Sequence, residues 1–347
     1  MKYIWAYSIP FTAFLGFYFG GWGYWATPVL AFIIIPLLET LLPLNTSNFS
    51  KEEALLEEKK TIYDVMLYIN VFIVYGLLGW SLFIINTKMS WVELSGLVFS
   101  LGLVLGTNGI NVAHELGHRS NWTEKMMAKA LLLPSFYTHF FIEHNHGHHV
   151  HVSTPEDPST AKYNQSLYVF WIQTVAGTYT KAWKIQKDIN KREGIGFFSP
   201  KNDMLWFTII QVIYLMGIYS FFGIKGALLA LTAGIIGFLL LETINYIEHY
   251  GLRRKKLPSG RYERVSEIHS WNSNHVMGRI ILYELTRHSD HHFKANKKYQ
   301  ILENHQSSPQ LPYGYPTSMV LAALPPVWFS IMNKRIPAEM VEIAKNN

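Results

Sequence analysis

The chain has 347 residues, 49% hydrophobic, 15% aromatic and 16% charged, with a formal net charge of +6. Mean hydropathy is +0.10, and the apolar residues stand in blocks, not in the spread periodic pattern of a soluble core. The absence of cysteine excludes disulfides, thiolate clusters and Cys-ligated iron–sulfur or rubredoxin sites within the chain. No aromatic-basic reader motif accompanies the positive charge, so a nucleic-acid role is a poor reading.

Spanning a bilayer takes about 20 mostly apolar residues, and six stretches qualify: 3–20, 25–43, 64–86, 92–113, 203–222 and 226–248. The expected architecture is an all-α, polytopic integral membrane protein. It has six transmembrane helices in three hairpins, with a cytoplasmic, histidine-rich helical cap from 114–202 and 249–347, and forms one domain over 1–347. The first stretch lacks a small-residue cleavage site and a second apolar block follows at once, which marks a retained span and not a signal peptide. Its hairpin turns at Gly20-Gly21-Trp22-Gly23. A polar link, 44–62, carries Ser50 as a helix N-cap with Glu53 three residues on. The second hairpin covers 64–113. Lys129 and Pro134 interrupt the apolar stretch 124–142, which therefore reads as a buried or interfacial helix. Residues 160–202 read as an amphipathic helix, and the third hairpin follows. Pro325-Pro326 argues against a seventh span in 317–332.

All Lys and Arg except Lys88 and Lys225 fall on the side that holds both termini. Positive residues stay inside, so the termini and the cap face the cytoplasm, as expected of a multi-pass protein of a bacterial inner membrane. The basic face suits anionic membrane lipid or an acidic protein partner.

The fifteen histidines gather at or beyond the cytoplasmic ends of spans four and six. Four groups stand out: HELGHR (114–119), EHNHGHH (143–149), NYIEHYGL (245–252) and RHSDHH (287–292). At about 100° per residue, positions i, i+3 and i+4 share a helix face. His114 pairs with His118 in this way, and His144 with His148, with His149 beside them. His288, His291 and His292 form a third set, and His249 ends span six. Neutral imidazole ligates borderline metals such as zinc, copper, iron or nickel, and nine imidazoles exceed what one ion holds, so the count points to two metals. A lone histidine is more often a hydrogen-bonded core residue; four clusters on one membrane face reverse that reading. His139, His146, His151, His269, His275 and His305 are set aside. Thr107, Asn111, His114 and His118 share one face of span four, and Glu242, Asn245 and His249 one face of span six. Polar groups within spans face the bundle interior, so Glu242 and Asn245 are candidate supports for the ligands, as are Asp290, Asp157, Glu143 and Glu248. Interhelical hydrogen bonding is the plainer account of these stripes. HELGH also fits the zinc-protease template H-E-x-x-H, which leaves seven clustered histidines unexplained.

With these blocks on view, the chain resembles the membrane-bound alkane 1-monooxygenases of the fatty-acid desaturase and hydroxylase superfamily. HELGHR, EHNHGHH and RHSDHH match the three histidine boxes, and NYIEHYGL marks the alkane-hydroxylase branch. Departures are Thr286 where glutamine is commoner and Arg119 where lysine is usual. The resemblance implies a non-haem di-iron centre of two Fe ions held by the nine histidines. It also implies hydroxylation of the terminal carbon of a linear alkane with O2, and electrons from rubredoxin and its reductase, here a separate chain for want of cysteines. It places a chain-length gauge in span two, where Leu37 and Leu38 are candidates. Rival readings are another hydroxylase or desaturase of the superfamily acting on a fatty acyl chain, an aromatic methyl group or a terpene, a di-zinc occupant, and a metal transporter or metallochaperone, whose sites lie near the midplane.

Overall fold

The structure, a computed structural model, describes residues 2–345. Helix is the only regular structure among the described residues. Pairing of the β kind is confined to isolated bridges, Lys256 with Tyr262 and Asn272 with Gln310.

Four helices are long and apolar enough to cross a membrane: Gly21–Leu41, Thr61–Ile84, Trp91–Gly117 and Asp203–His249. The expected count was six. The difference arises at the two ends of the series. The first stretch begins in tight 3-10 geometry, Lys2–Tyr7, which leaves only the 12 residues Ser8–Phe19 as α-helix. The last two stretches run together in the 47 residues of Asp203–His249, broken at Gly223 with φ 66° and ψ −167°. A straight helix of that length would extend about 70 Å, more than twice a hydrocarbon core of about 30 Å. Only glycine takes this conformation without strain, and the turn is tight: a Cβ on Gly226 would lie 2.4 Å from Phe222 Cβ.

The chain folds as two compact units. The first comprises the N-terminal stretch to Ile34 together with Thr61–Glu143 and Thr180–Leu241. Its helices meet over small residues, which let backbones approach where lipid offers no hydrophobic drive. A Cβ on Gly16 would sit 2.4 Å from the Gly23 carbonyl oxygen, and one on Gly102 would sit 2.5 Å from Ile236. A polar cluster crosses this interior: the Asn108 amide donates to Asn70 Oδ1 at 2.8 Å and to the Ala6 carbonyl at 3.4 Å. Residues Leu105–Ile110 form a π-helical turn, so the 3.6-residue period used to place Thr107 above His114 does not hold there. Thr107 stays local, donating to the Leu103 carbonyl at 2.8 Å. Asn108 takes the buried place.

The second unit comprises Ile35–Lys60, His144–Tyr179 and the chain from Glu242 onward. Ser50 caps the helix Lys51–Glu58 through the full box with Glu53, at 3.2 Å and 2.8 Å. The polar link before it is stitched to the C-terminal part. Asn45 N–H donates to the Asn274 carbonyl at 3.0 Å, Arg279 donates to the Asn45 carbonyl, and Arg287 donates to the Ser47 carbonyl at 2.7 Å. Pro325 and Pro326 open the eight-residue helix Pro325–Met332, where the missing N–H groups cost nothing.

The apolar stretch 124–142 becomes the helix Trp122–Leu132, ended by Pro134, followed by Phe140–Glu143. The amphipathic stretch becomes Leu167–Glu193, burying Leu167, Phe170, Thr174, Thr178, Ala182 and Gln186 along one stripe.

Gly16→Ala is expected to lower the thermal midpoint of the detergent-solubilised protein, because overpacking against backbone costs about 1–3 kcal/mol. Gly76→Ala, whose Cβ meets nothing within 4 Å, should hold or raise it; equal midpoints for the two variants would refute the close packing at Gly16.

Candidate metal centre

Two groups of imidazoles converge within the second unit. His148, from the π-helical turn His144–His148, joins His249, the last residue of its helix, and His288 and His292, one turn apart on His288–Phe293. Their ligand-capable atoms all lie within 4.8 Å of one another, and all four rings are buried. His288 Nε2 is 3.1 Å from His249 Nε2 and 2.9 Å from His292 Nε2. The second group contains His144, His149 and His291: His149 Nε2 is 3.0 Å from His144 Nε2 and 3.2 Å from His291 Nε2.

These spacings suit a metal. Two nitrogens each about 2.1 Å from one ion and at right angles to each other are about 3.0 Å apart. Hydrogen bonding cannot satisfy the set, because each neutral ring carries a single N–H. Protonation is opposed as well: burial, then neighbouring His288, His149, His148 and His249, hold His292 well below the ordinary imidazole value, leaving the neutral form that ligates.

The groups do not follow the expected pairing. His144 and His148, four apart, separate into different groups, and His144 meets His149, five apart. The π-helical turn is the reason, since its wider winding realigns the side chains. His291 and His292, adjacent in sequence, likewise face different groups.

In the first unit His114 and His118 stand together, ring centroids 5.0 Å apart, at the end of Asn111–Gly117. Arg119 locks this helix end, donating to Glu115 Oε1 at 2.7 Å and pairing with Asp64 at 3.3 Å. Burial alone would lower the Arg119 pKa, but Glu115, Asp64 and Glu124 outweigh it and raise it.

The other candidates divide. Asp157 Oδ2 lies 2.9 Å from His148 Nδ1 and also accepts from Thr160 Oγ1 at 2.6 Å, an arrangement that aims Nε2 at the cluster. Asp290 takes His305 Nε2 at 2.7 Å and Lys297 Nζ at 2.8 Å. Glu242 Oε2 accepts from Thr174 Oγ1 at 2.7 Å and from the Asn245 amide at 3.1 Å. Leu37 is 58% exposed, Leu38 is half-buried, and the same helix turn buries Ile35 and Glu39.

Among the histidines set aside, His146 is exposed, His151 pairs with Glu156 and His269 with Glu263, and His275 meets Ser273 at 2.9 Å. Burial pushes His139 down to about 3, and its ring packs on Tyr137. Sequence reading missed Tyr315, which donates to Glu248 Oε1 at 2.6 Å while Glu248 Oε2 lies 3.1 Å from His288 Nε2. Burial, then Glu248, raise this phenol well above its ordinary value. A tyrosine 67 residues from its carboxylate leaves no local signal.

Residues 89–320 match the fatty acid desaturase family, a span that contains all nine clustered histidines. The chain belongs to that family. Within it the chain is 39% identical over 317 residues to alkane 1-monooxygenase 2 of Pseudomonas aeruginosa, covering 90% of this chain and 84% of the relative. It is 38% identical over 334 residues to alkane 1-monooxygenase 2 of Alcanivorax borkumensis, covering 95% and 87%. The hydroxylase component of xylene/toluene monooxygenase from Pseudomonas putida is 28% identical over 340 residues, covering 94% and 87%. The resemblance in the histidine blocks thus extends over most of this desaturase-family chain.

Cobalt(II) titration of the metal-stripped protein is expected to give ligand-field bands that His292→Ala diminishes. Asp157→Asn should weaken binding by about 10–100-fold, as loss of a ligand's supporting carboxylate does elsewhere; unaltered titrations in both variants would rule out the four-histidine group as a metal site.

Proposed function

We propose that this chain is a non-haem di-iron monooxygenase that hydroxylates the terminal carbon of linear alkanes to 1-alkanols with O2. The observation that carries the reading is the convergence of neutral imidazoles at ligand spacing in a chain whose alkane 1-monooxygenase relatives align over most of its length. Within the second unit, His148, His249, His288 and His292 would hold one iron and His144, His149 and His291 the other; His114 and His118 are the remaining two of the nine ligands proposed from the sequence. Bound iron supplies the oxygen chemistry that an inert C–H bond demands and that no side chain provides.

The protein's own groups do the rest. Asp157 keeps His148 in the tautomer whose Nε2 can ligate. Glu242, tied to Thr174 and Asn245, keeps the helix that ends in His249 at one rotation. An alkane has no polar handle, so selection rests on an apolar path and its length. Leu38, half-buried, suits the part of length gauge better than exposed Leu37.

The whole chain acts as one hydroxylase domain with six spans in three hairpins, the breaks at Gly20 and Gly223 supplying two of the turns. Both backbones take the same conformation, φ 66° with ψ −166° or −167°. Positive-inside charge puts both termini and the metal centre on the cytoplasmic side of a bacterial inner membrane. Electrons come from a separate rubredoxin and its reductase; the chain's lack of cysteine and its basic face support an acidic outside donor. The alternative substrate, an aromatic methyl group, draws on the xylene/toluene relative, and its lower identity of 28% puts it second.

Membranes holding the iron-loaded protein, supplied with rubredoxin, its reductase and NADH, should convert octane or hexadecane to the 1-alkanol. Exclusive oxidation of xylene would select the second reading, and turnover in iron-free, zinc-loaded protein would overturn the first. Leu38→Trp is expected to shift the product profile towards shorter alkanes. An unmoved profile would remove Leu38 from that role.

A further inference from the structure

Just ahead of the long helix Asp203–His249, buried polar groups hold two phenylalanines in the open. Phe198 is 83% exposed and Phe197 54%, in the stretch GIGFFSPK, 194–201. The helix Leu167–Glu193 stops at Gly194, whose φ of 67° turns the backbone so that Ile195 N–H reaches the Asn190 carbonyl at 2.8 Å. From there the loop is stapled down. Buried Asn202 donates to the Phe197 carbonyl at 2.7 Å. Buried Gln186 donates to Asn190 Oδ1 at 2.7 Å and to the Lys201 carbonyl at 3.4 Å. Trp206, in the first turn of the long helix, donates to the Ser199 carbonyl at 3.2 Å. Trp183 stacks on Phe197, centroids 6.2 Å and planes 12° apart. Large apolar side chains fixed this firmly at a surface mark a contact with something apolar.

Two features say what covers them. The first is continuity. Trp206, Ile209, Ile210 and Ile213 form an exposed apolar side of the spanning helix, and the Trp206–Ser199 bond joins the loop to that side at the level where the span begins. The second is charge. Ala182, Gln186 and Asn190 mark the buried stripe of the preceding helix, so Lys184, Lys187 and Lys191 project from its exposed side, with Arg192 and Lys201 exposed beyond them. The acid nearest Lys201 in the chain is Asp203, and Lys129 holds both of its oxygens at 2.8 Å. Amphipathic helices with basic residues beside exposed aromatics lie in the bilayer interface and favour anionic lipid.

We propose that residues 181–201 form a membrane seat that binds anionic phospholipid. Phe197 and Phe198 enter the acyl boundary of the cytoplasmic leaflet, and Lys187, Lys191 and Lys201 take the phosphate-bearing headgroups. The seat goes beyond the hydroxylase reading and rests only on that part of it in which Asp203–His249 crosses the bilayer. An acidic protein would meet the lysines equally well, but it would not account for phenylalanines continuous with the apolar side of a span.

The absence of cysteine makes the intact chain suitable for spin labelling at single introduced sites. Phe198→Cys and Ile213→Cys, each carrying a nitroxide, are reconstituted in nanodiscs of phosphatidylcholine and phosphatidylglycerol. Electron paramagnetic resonance then compares collisions with O2, which concentrates among acyl chains, and with a water-soluble nickel chelate. Both labels should favour O2. Native mass spectrometry of unlabelled protein released from equimolar nanodiscs should show phosphatidylglycerol retained several-fold over phosphatidylcholine. The combined variant Lys187→Gln, Lys191→Gln and Lys201→Gln should lose that preference with its thermal midpoint unchanged. A label at 198 open to nickel, with the one at 213 favouring O2, would overturn the seat and leave the span standing. So would a label at 198 that loses nickel access only when an acidic electron-donor protein is added, which would give the surface to that partner. Equal retention of the two lipids by the wild type, or an undiminished preference in the variant, would overturn the anionic site. Nickel access at 213 would overturn the span and the seat with it.

Discussion

Lone pairs of neutral imidazoles repel, and this architecture crowds them. His288 Nε2 lies within 3.1 Å of two other ring nitrogens and of a carboxylate oxygen. One N–H can serve only one acceptor, and burial opposes adding a proton. A cation at the centre would resolve the conflict, and much of the second unit is arranged around these rings. Asp157 fixes His148; the Asn272 amide group both donates to Ser289 Oγ at 2.6 Å and accepts from Ser289 N–H at 2.8 Å, gripping the helix that carries three of the rings.

The first unit meets a different constraint. In lipid, apolar side chains gain little by meeting each other, so helices hold through close backbone approach and internal polar contacts. Gly102 against Ile236 is one device, Asn70 with Asn108 another. The Arg119 fork on Asp64 and Glu115 applies the same logic at the end of the helix bearing His114 and His118. A guanidinium makes two directed contacts there where an ammonium would act as a point charge.

Much of this was legible in the sequence. Apolar blocks, the Ser50 cap, the break at Pro134 and the clustering of histidines follow from local chemistry, and local chemistry is what a sequence shows. The grouping of the rings was not legible. It turns on a π-helical winding over 144–148, where the period that reads an α-helix fails and His149 takes the place expected for His148. The break between the stretches 203–222 and 226–248 was legible too, since the backbone leaves helical geometry at Gly223. Tyr315 and the Asn70–Asn108 pair depend on contacts between residues distant in the chain, for which no pattern exists. Asp290 was expected beside a ligand because it stands among histidines; the nearby Lys297 and His305 claim it instead.

The link around Asn45–Asn48 has a bearing on how such proteins diverge. It is bonded at Asn274, Arg279, Arg287 and Asn304, so a segment near the start of the chain shares its fate with the last histidine block, more than two hundred residues away. Recombination that swaps C-terminal halves between relatives would break those bonds unless both partners kept the same link. Inheritance of the two segments as a pair is therefore built into the fold, and chimaeras should be cut with that in mind.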